Sequence, residues 1–148
     1  MRINKKGFTL IELLAVIIVL AVVTLLAVQA ILPQVDKARK NAFVVEVNTA
    51  IEAAKQWYGI QVLEGTGQTC VSITTLKNDH YFEVSDTGYN GTVTVVIDGT
   101  TKVVTGYRIS MTNGTYKIID HTGKLTTAQA ATEVLLSSDD GTVPTSCS

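Results

Sequence analysis

Across residues 8–32 the chain carries only four polar side chains, Thr9, Glu12, Thr24 and Gln29. Wound as an α-helix, that run spans about 37 Å, more than the ~30 Å hydrocarbon core of a bilayer. The pattern predicts one membrane-spanning helix. It is too long for the apolar region of a cleaved secretory signal, and it runs on past the small residues Ala27 and Ala30 without a cleavage site. At Pro33 the missing amide donor predicts a kink or a short break. Beyond it the periodicity becomes that of an amphipathic helix. Phe43, Val47, Ala50, Ile51, Ala54, Trp57 and Tyr58 share one face, while Lys40, Glu46, Asn48, Glu52 and Lys55 lie largely elsewhere. Such a stripe is suited to docking on a sheet, with Gly59 as its stop. Trp57 and Tyr58 read as core residues rather than as a stacking platform for a ligand.

The remainder is Gly- and Thr-rich and changes to strand patterning. Residues 60–69 read as a loop, and residues 72–77 as a helical turn capped by Ser72. Residues 92–97 and 102–111 are dense in Val, Thr, Ile and Tyr and flank the turn Asp98-Gly99-Thr100-Thr101. A further strand, 116–120, follows the turn pair Asn113-Gly114. Val103, Thr105, Tyr107, Ile109 and Met111 alternate onto one face that suits the helix stripe. Thr126 and Gln129 fit a capping box that opens a short helix to about residue 136. The expectation is an α+β chain: a long N-terminal helix, membrane-spanning in its first half and amphipathic in its second, packed on an antiparallel β-meander of three to four strands.

Composition narrows the functional classes. The 148 residues hold 12 Lys and Arg against 13 Asp and Glu, which excludes a strongly basic nucleic-acid binder. A single apolar run excludes a multi-pass membrane protein. The basic residues are split almost evenly about the span, Arg2, Lys5 and Lys6 before it and Lys37, Arg39 and Lys40 after it, so the charge bias that orients a plain anchor is nearly a tie. Glu12 is the second anomaly, because a carboxylate inside an apolar span is costly unless it has a partner.

The string Lys5-Lys6-Gly7-Phe8-Thr9-Leu10-Ile11-Glu12-Leu13-Leu14 resembles the class III leader and mature start of type IV pilins and pseudopilins: a short basic leader ending in Gly, then Phe, then Glu four residues later. The resemblance covers residues 1 to about 32 and, more loosely, the helix to about residue 58. It implies cleavage by a prepilin peptidase between Gly7 and Phe8, N-methylation of Phe8, and passage from a single-pass precursor in the cytoplasmic membrane into an extracellular filament through the pilus assembly machinery. Many pilins have a Pro and a Gly earlier in the apolar segment; here neither precedes Pro33. Cleavage would leave 9 basic and 13 acidic side chains. It would also create an amine at Phe8, which the Glu12 carboxylate of a staggered neighbouring subunit could meet to set register. The implied organisation is a leader at 1–7, an assembly helix at 8–32, an amphipathic helix at 33–58 and a β-rich head at 59–148. The implied function is a structural subunit of a homopolymeric pilus serving adhesion, motility or DNA uptake. The alternatives are a minor pilin or pseudopilin of a secretion or competence system, and a membrane-anchored surface binding module.

An exported head favours a disulfide between the two cysteines, Cys70 and Cys147, over two free thiols. No catalytic site is expected: His80 and His121 are the only histidines, and neither a nucleophile elbow nor a phosphate loop occurs. No cofactor is expected. Asp139-Asp140-Gly141 is a weak candidate for a calcium loop, and Asp79 with His80 for another metal, with turn chemistry the simpler account. Lys102, Arg108 and Lys117 are a candidate basic patch for DNA within an otherwise weak nucleic-acid signal. Asn90-Gly91-Thr92 and Asn113-Gly114-Thr115 fit the N-glycosylation pattern and Asn-Gly turns equally well.

Overall fold

The computed structural model describes residues 9–84 and 88–147. Its elements run in the order α1 (Leu10–Glu64), β1 (Cys70–Ser72), α2 (Ile73–Asn78), β2 (Asn90–Ile97), β3 (Val104–Thr112), β4 (Tyr116–Thr122), α3 (Ala130–Glu133) and β5 (Leu135–Leu136). The chain divides after Lys37 into two compact units.

The first unit is the apolar part of α1. Pro33 sits inside the helix without breaking it, so of the expected kink or break the break is absent. A proline within a helix costs one hydrogen bond and a steric clash, and the many remaining bonds of a 55-residue helix carry that loss. Its large apolar side chains, among them Ile11, Leu14, Ile18, Leu25 and Leu32, are all exposed in the single chain. By length and composition α1 can cross a membrane.

The second unit is the head. Five antiparallel strands lie in sequence order, β1-β2-β3-β4-β5, so every neighbour in the sheet is a neighbour in the chain. The C-terminal part of α1 packs on one face of this sheet. Phe43, Val47, Ala50, Ile51, Ala54 and Trp57 are buried as the periodicity requires, with Val44 and Ala53 widening the stripe and Tyr58 half-buried. They meet Val71, Val93, Ile109, Met111, Tyr116 and Ile118 from the strands in one core. Phe43 and Tyr116 are in ring contact at 6.2 Å. Burying side chains of this size stabilises by about 1.5–3 kcal/mol each, which ties the helix to the sheet.

Four local expectations are corrected. Gly59 does not stop the helix, which continues to Glu64. The stop is Gly65 at φ 71°, where Gly65 N–H donates to Val62 O and Thr66 N–H to Gln61 O. Gly59 lies in open space and keeps helical geometry; only Gly65 takes the left-handed conformation that a terminating residue needs. The alternation in β3 holds for Tyr107, Ile109 and Met111 but not at the other end, where Val103 is 59% exposed and Thr105 is exposed. The helix predicted after Thr126 is one turn long. Gln129 Oε1 accepts from Thr126 N–H (2.9 Å), but no side chain caps the helix in return, and Leu135–Leu136 leaves it to pair with β4 as β5. Cys70–Ser72, of which the sequence assigns only Ser72, as the cap of a turn, is an edge strand paired with β2.

Polar side chains on the second half of α1 also fasten the head. Asn48 Nδ2 donates to Leu125 O (2.8 Å), and Leu125 N–H donates to Asn48 Oδ1 (2.9 Å). Asn113 Nδ2 donates to Glu46 Oε2 (3.3 Å), and Lys124 Nζ lies 2.7 Å from Glu52 Oε1. The hydrogen bond from Lys124 holds the Glu52 carboxyl below its usual range, and burial pushes the Tyr107 hydroxyl up.

Candidate functional site

Two places in the molecule bear the residues singled out by sequence: the start of α1 and the C-terminal segment of the head. At the first, Gly7 and Phe8 lie outside the described residues. Glu12 is described. Its Oε2 accepts from Thr9 N–H (2.9 Å) and Thr9 Oγ1 (3.0 Å), and Glu12 N–H points back to Thr9 Oγ1 (3.4 Å). This is a capping box. Thr9 and Glu12, three residues apart, satisfy each other's free donors at the opening turn. The Thr-x-x-Glu spacing is visible in the sequence, so the signal was present and a local role for the carboxylate was missed there. The box is a same-chain engagement of one carboxylate oxygen, with Glu12 exposed on the surface of the single chain.

In the head, Cys70 and Cys147 form a disulfide that closes a loop of 77 positions and fixes the chain end to β1. The bridge stands between two shallow cavities. One, of about 270 Å³, is lined by Trp57, Gln68, Ser72, Thr75 and Thr145; the other, of about 340 Å³, by Thr92, Thr94, Arg108, Ser110, Asp120 and Pro144. Cys70, Ser146 and Cys147 border both.

The three basic residues considered for DNA do not form a patch. Arg108 Nε pairs with Asp120 Oδ1 at 3.1 Å, and Lys117 is buried. Alternation along β4 is the reason. Tyr116 and Ile118 face α1, Lys117 faces the other side of the sheet, and the segment after β5 crosses over it there. Its Nζ donates to the backbone carbonyls of Ser137 (3.4 Å), Asp139 and Gly141 (2.7 Å). In the same loop Asp139 Oδ2 accepts Leu136 N–H (2.8 Å).

The remaining polar candidates have local structural work. Among the described residues no three His, Cys, Asp or Glu side chains converge as metal ligands would. Asp79 caps α2 and His80 follows it at φ 59° in an exposed turn. His121 Nδ1 lies 2.5 Å from Glu133 Oε2 and ties β4 to α3. In the Asn113-Gly114 turn, Asn113 Oδ1 accepts from Thr115 N–H and Tyr116 N–H, so its side chain is committed to the fold. Thr92 of the other Asn-Gly-Thr triplet is buried.

With this geometry in view, residues 2–28 match the family described as the prokaryotic N-terminal methylation motif, the class III prepilin signature typical of type IV pilins and pseudopilins. No curated protein and no solved structure matches the chain. The match takes in most of the apolar helix; the head lies outside it.

Proposed function

We propose that this chain is a type IV pilin, a structural subunit that becomes a filament through its N-terminal helix. The observation that carries the reading is a methylation motif at residues 2–28 on a helix whose apolar side chains find no cover within the chain, followed by a helix stripe that does. Prepilin peptidase cuts between Gly7 and Phe8, and the new Phe8 amine is methylated. Before assembly residues 8–32 hold the precursor in the membrane, and afterwards the same surface packs against other subunits. One segment thereby serves in two apolar environments. The organisation 1–7, 8–32, 33–58 and 59–148 follows: leader, assembly helix, amphipathic helix and outward-facing head. The subunit works by assembly, with no chemical turnover of its own.

Glu12 supplies register in this reading. Its carboxylate meets the Phe8 amine of a staggered neighbour, where charge pairing away from water rewards one alignment over all others. Thr9 holds Glu12 at the helix start in the single chain. Glu12→Ala should leave membrane insertion and leader cleavage intact while cutting incorporation into sheared filaments at least about tenfold, the ratio expected for losing one well-placed ion pair. Incorporation at the wild-type level would remove the register argument. A minor pilin or a pseudopilin of a secretion or competence system has the same leader chemistry. Shearing separates these readings, since a pilin is recovered in quantity as polymer and an anchored binding module stays with the cell.

A further inference from the structure

Lys117 has no part in the assembly reading, yet among the described residues it is the only buried charged side chain, 3% exposed. Withdrawing an ammonium from water is strongly unfavourable unless its three donors are satisfied. Three backbone carbonyls satisfy them here, from Ser137, Asp139 and Gly141, alternate positions of one short loop. Carbonyl oxygens turned inward from a tight loop are the arrangement by which protein backbone surrounds a small cation.

The loop is held in that shape by its own bonds. Ser137 N–H donates to Thr115 O (2.9 Å), Asp139 N–H to Leu136 O (3.0 Å), and Leu136 N–H to the Asp139 carboxylate. Gly141 closes it at φ 104°, where a Cβ would come within 2.5 Å of Ile119 Cδ1. The backbone conformation favours glycine, and a larger residue would also have to displace the tip of Ile119 on β4.

We infer that residues 137–141 are a cation-binding cage whose resident cation is the Lys117 ammonium, closing the C-terminal strap onto β4 without a metal ion and independently of the disulfide. The strap then has two latches of different chemistry. Lys117 holds 137–141, and Cys147 holds the last turn of chain that borders both cavities. Reducing the disulfide frees only the second latch. The cage belongs to the head alone, so its test does not depend on filament assembly.

The test is hydrogen exchange on the full chain in detergent, read at the amides of Ser137 and Asp139 and at residues 142–147. In the wild type, dithiothreitol should speed exchange at residues 142–147 while leaving Ser137 and Asp139 within about twofold of the oxidised protein. Calcium chloride or EDTA should change neither. Lys117→Met, with the disulfide intact, should speed exchange at Ser137 and Asp139 by about tenfold or more, because three carbonyls lose their donor. Release of 137–141 together with the tail on reduction would overturn the inference, as would a calcium-dependent change in the wild type. Unchanged exchange in Lys117→Met would do the same. Where Lys117→Met does not accumulate, either wild-type measurement can still overturn the inference.

Discussion

Asn48 shows how one side chain can join elements distant in sequence. Its amide donates to the carbonyl of Leu125 and accepts from the amide of the same residue, filling both backbone valences of a buried position. Asn48→Ala deletes both partners at once and leaves the Leu125 groups without water. The expected loss is about 1–3 kcal/mol, read as a lower denaturation midpoint of the head at unchanged slope. Asp98 works differently, because it is partly exposed and acts through its charge. Its Oδ1 accepts from Thr100 N–H, Thr101 N–H and Thr101 Oγ1, and these bonds hold the carboxyl below its ordinary range. A group depressed on folding stabilises above its unfolded value and stops doing so as pH falls through its folded one. The Thr100 and Thr101 amides should therefore be protected at neutral pH and lose protection in strong acid. Asp98→Asn should flatten that dependence, and an identical pH profile in the variant would remove the charge from the account.

At the scale of elements, legibility followed how local the determinants are. The stripe from Phe43 to Trp57 needs nothing beyond helical periodicity, and it is buried where the sequence puts it. Ser72 capping of α2 is equally local, with Thr75 N–H donating to Ser72 Oγ at 3.0 Å. The turns at Asp98 and Asn113 are set by their own side chains, and β2, β3 and β4 fall on the predicted segments to within a few residues. Elements that depend on a partner were not legible. Cys70–Ser72 and Leu135–Leu136 are too short to show alternation and exist because β2 and β4 offer them an edge. Lys117 reads as a surface cation until the strap that covers it is in place. Gly59 and Gly65 are indistinguishable as letters, and only the positive φ of Gly65 separates the stop from a tolerated interior glycine. The strand glycine Gly91 is similarly silent in sequence, although a Cβ there would meet Ser110 O at 2.1 Å. At the N-terminus, the methylation motif was legible because it is a contiguous string of residues. The capping box between Thr9 and Glu12 was equally local and was overlooked beside it.

The whole molecule joins an apolar helix without internal cover to a head with a complete core. These parts are stabilised by different means. The head closes its chain end with a disulfide across 77 positions, and restricting so long a loop in the unfolded state is worth about 4 kcal/mol. Replacing Cys70 and Cys147 together by Ser should lower head stability by about that amount while keeping the sheet, as judged by circular dichroism; an unchanged denaturation midpoint would remove the loop-closure argument. In the proposed reading the helix finds its stability first in lipid and then in other subunits, with the leader's positive charge removed between the two. The measurement that tests this account most directly is the intact mass and N-terminal sequence of material sheared from the cell surface. The account predicts abundant polymer whose chains begin at a methylated Phe8; chains that still begin at Met1 would contradict it.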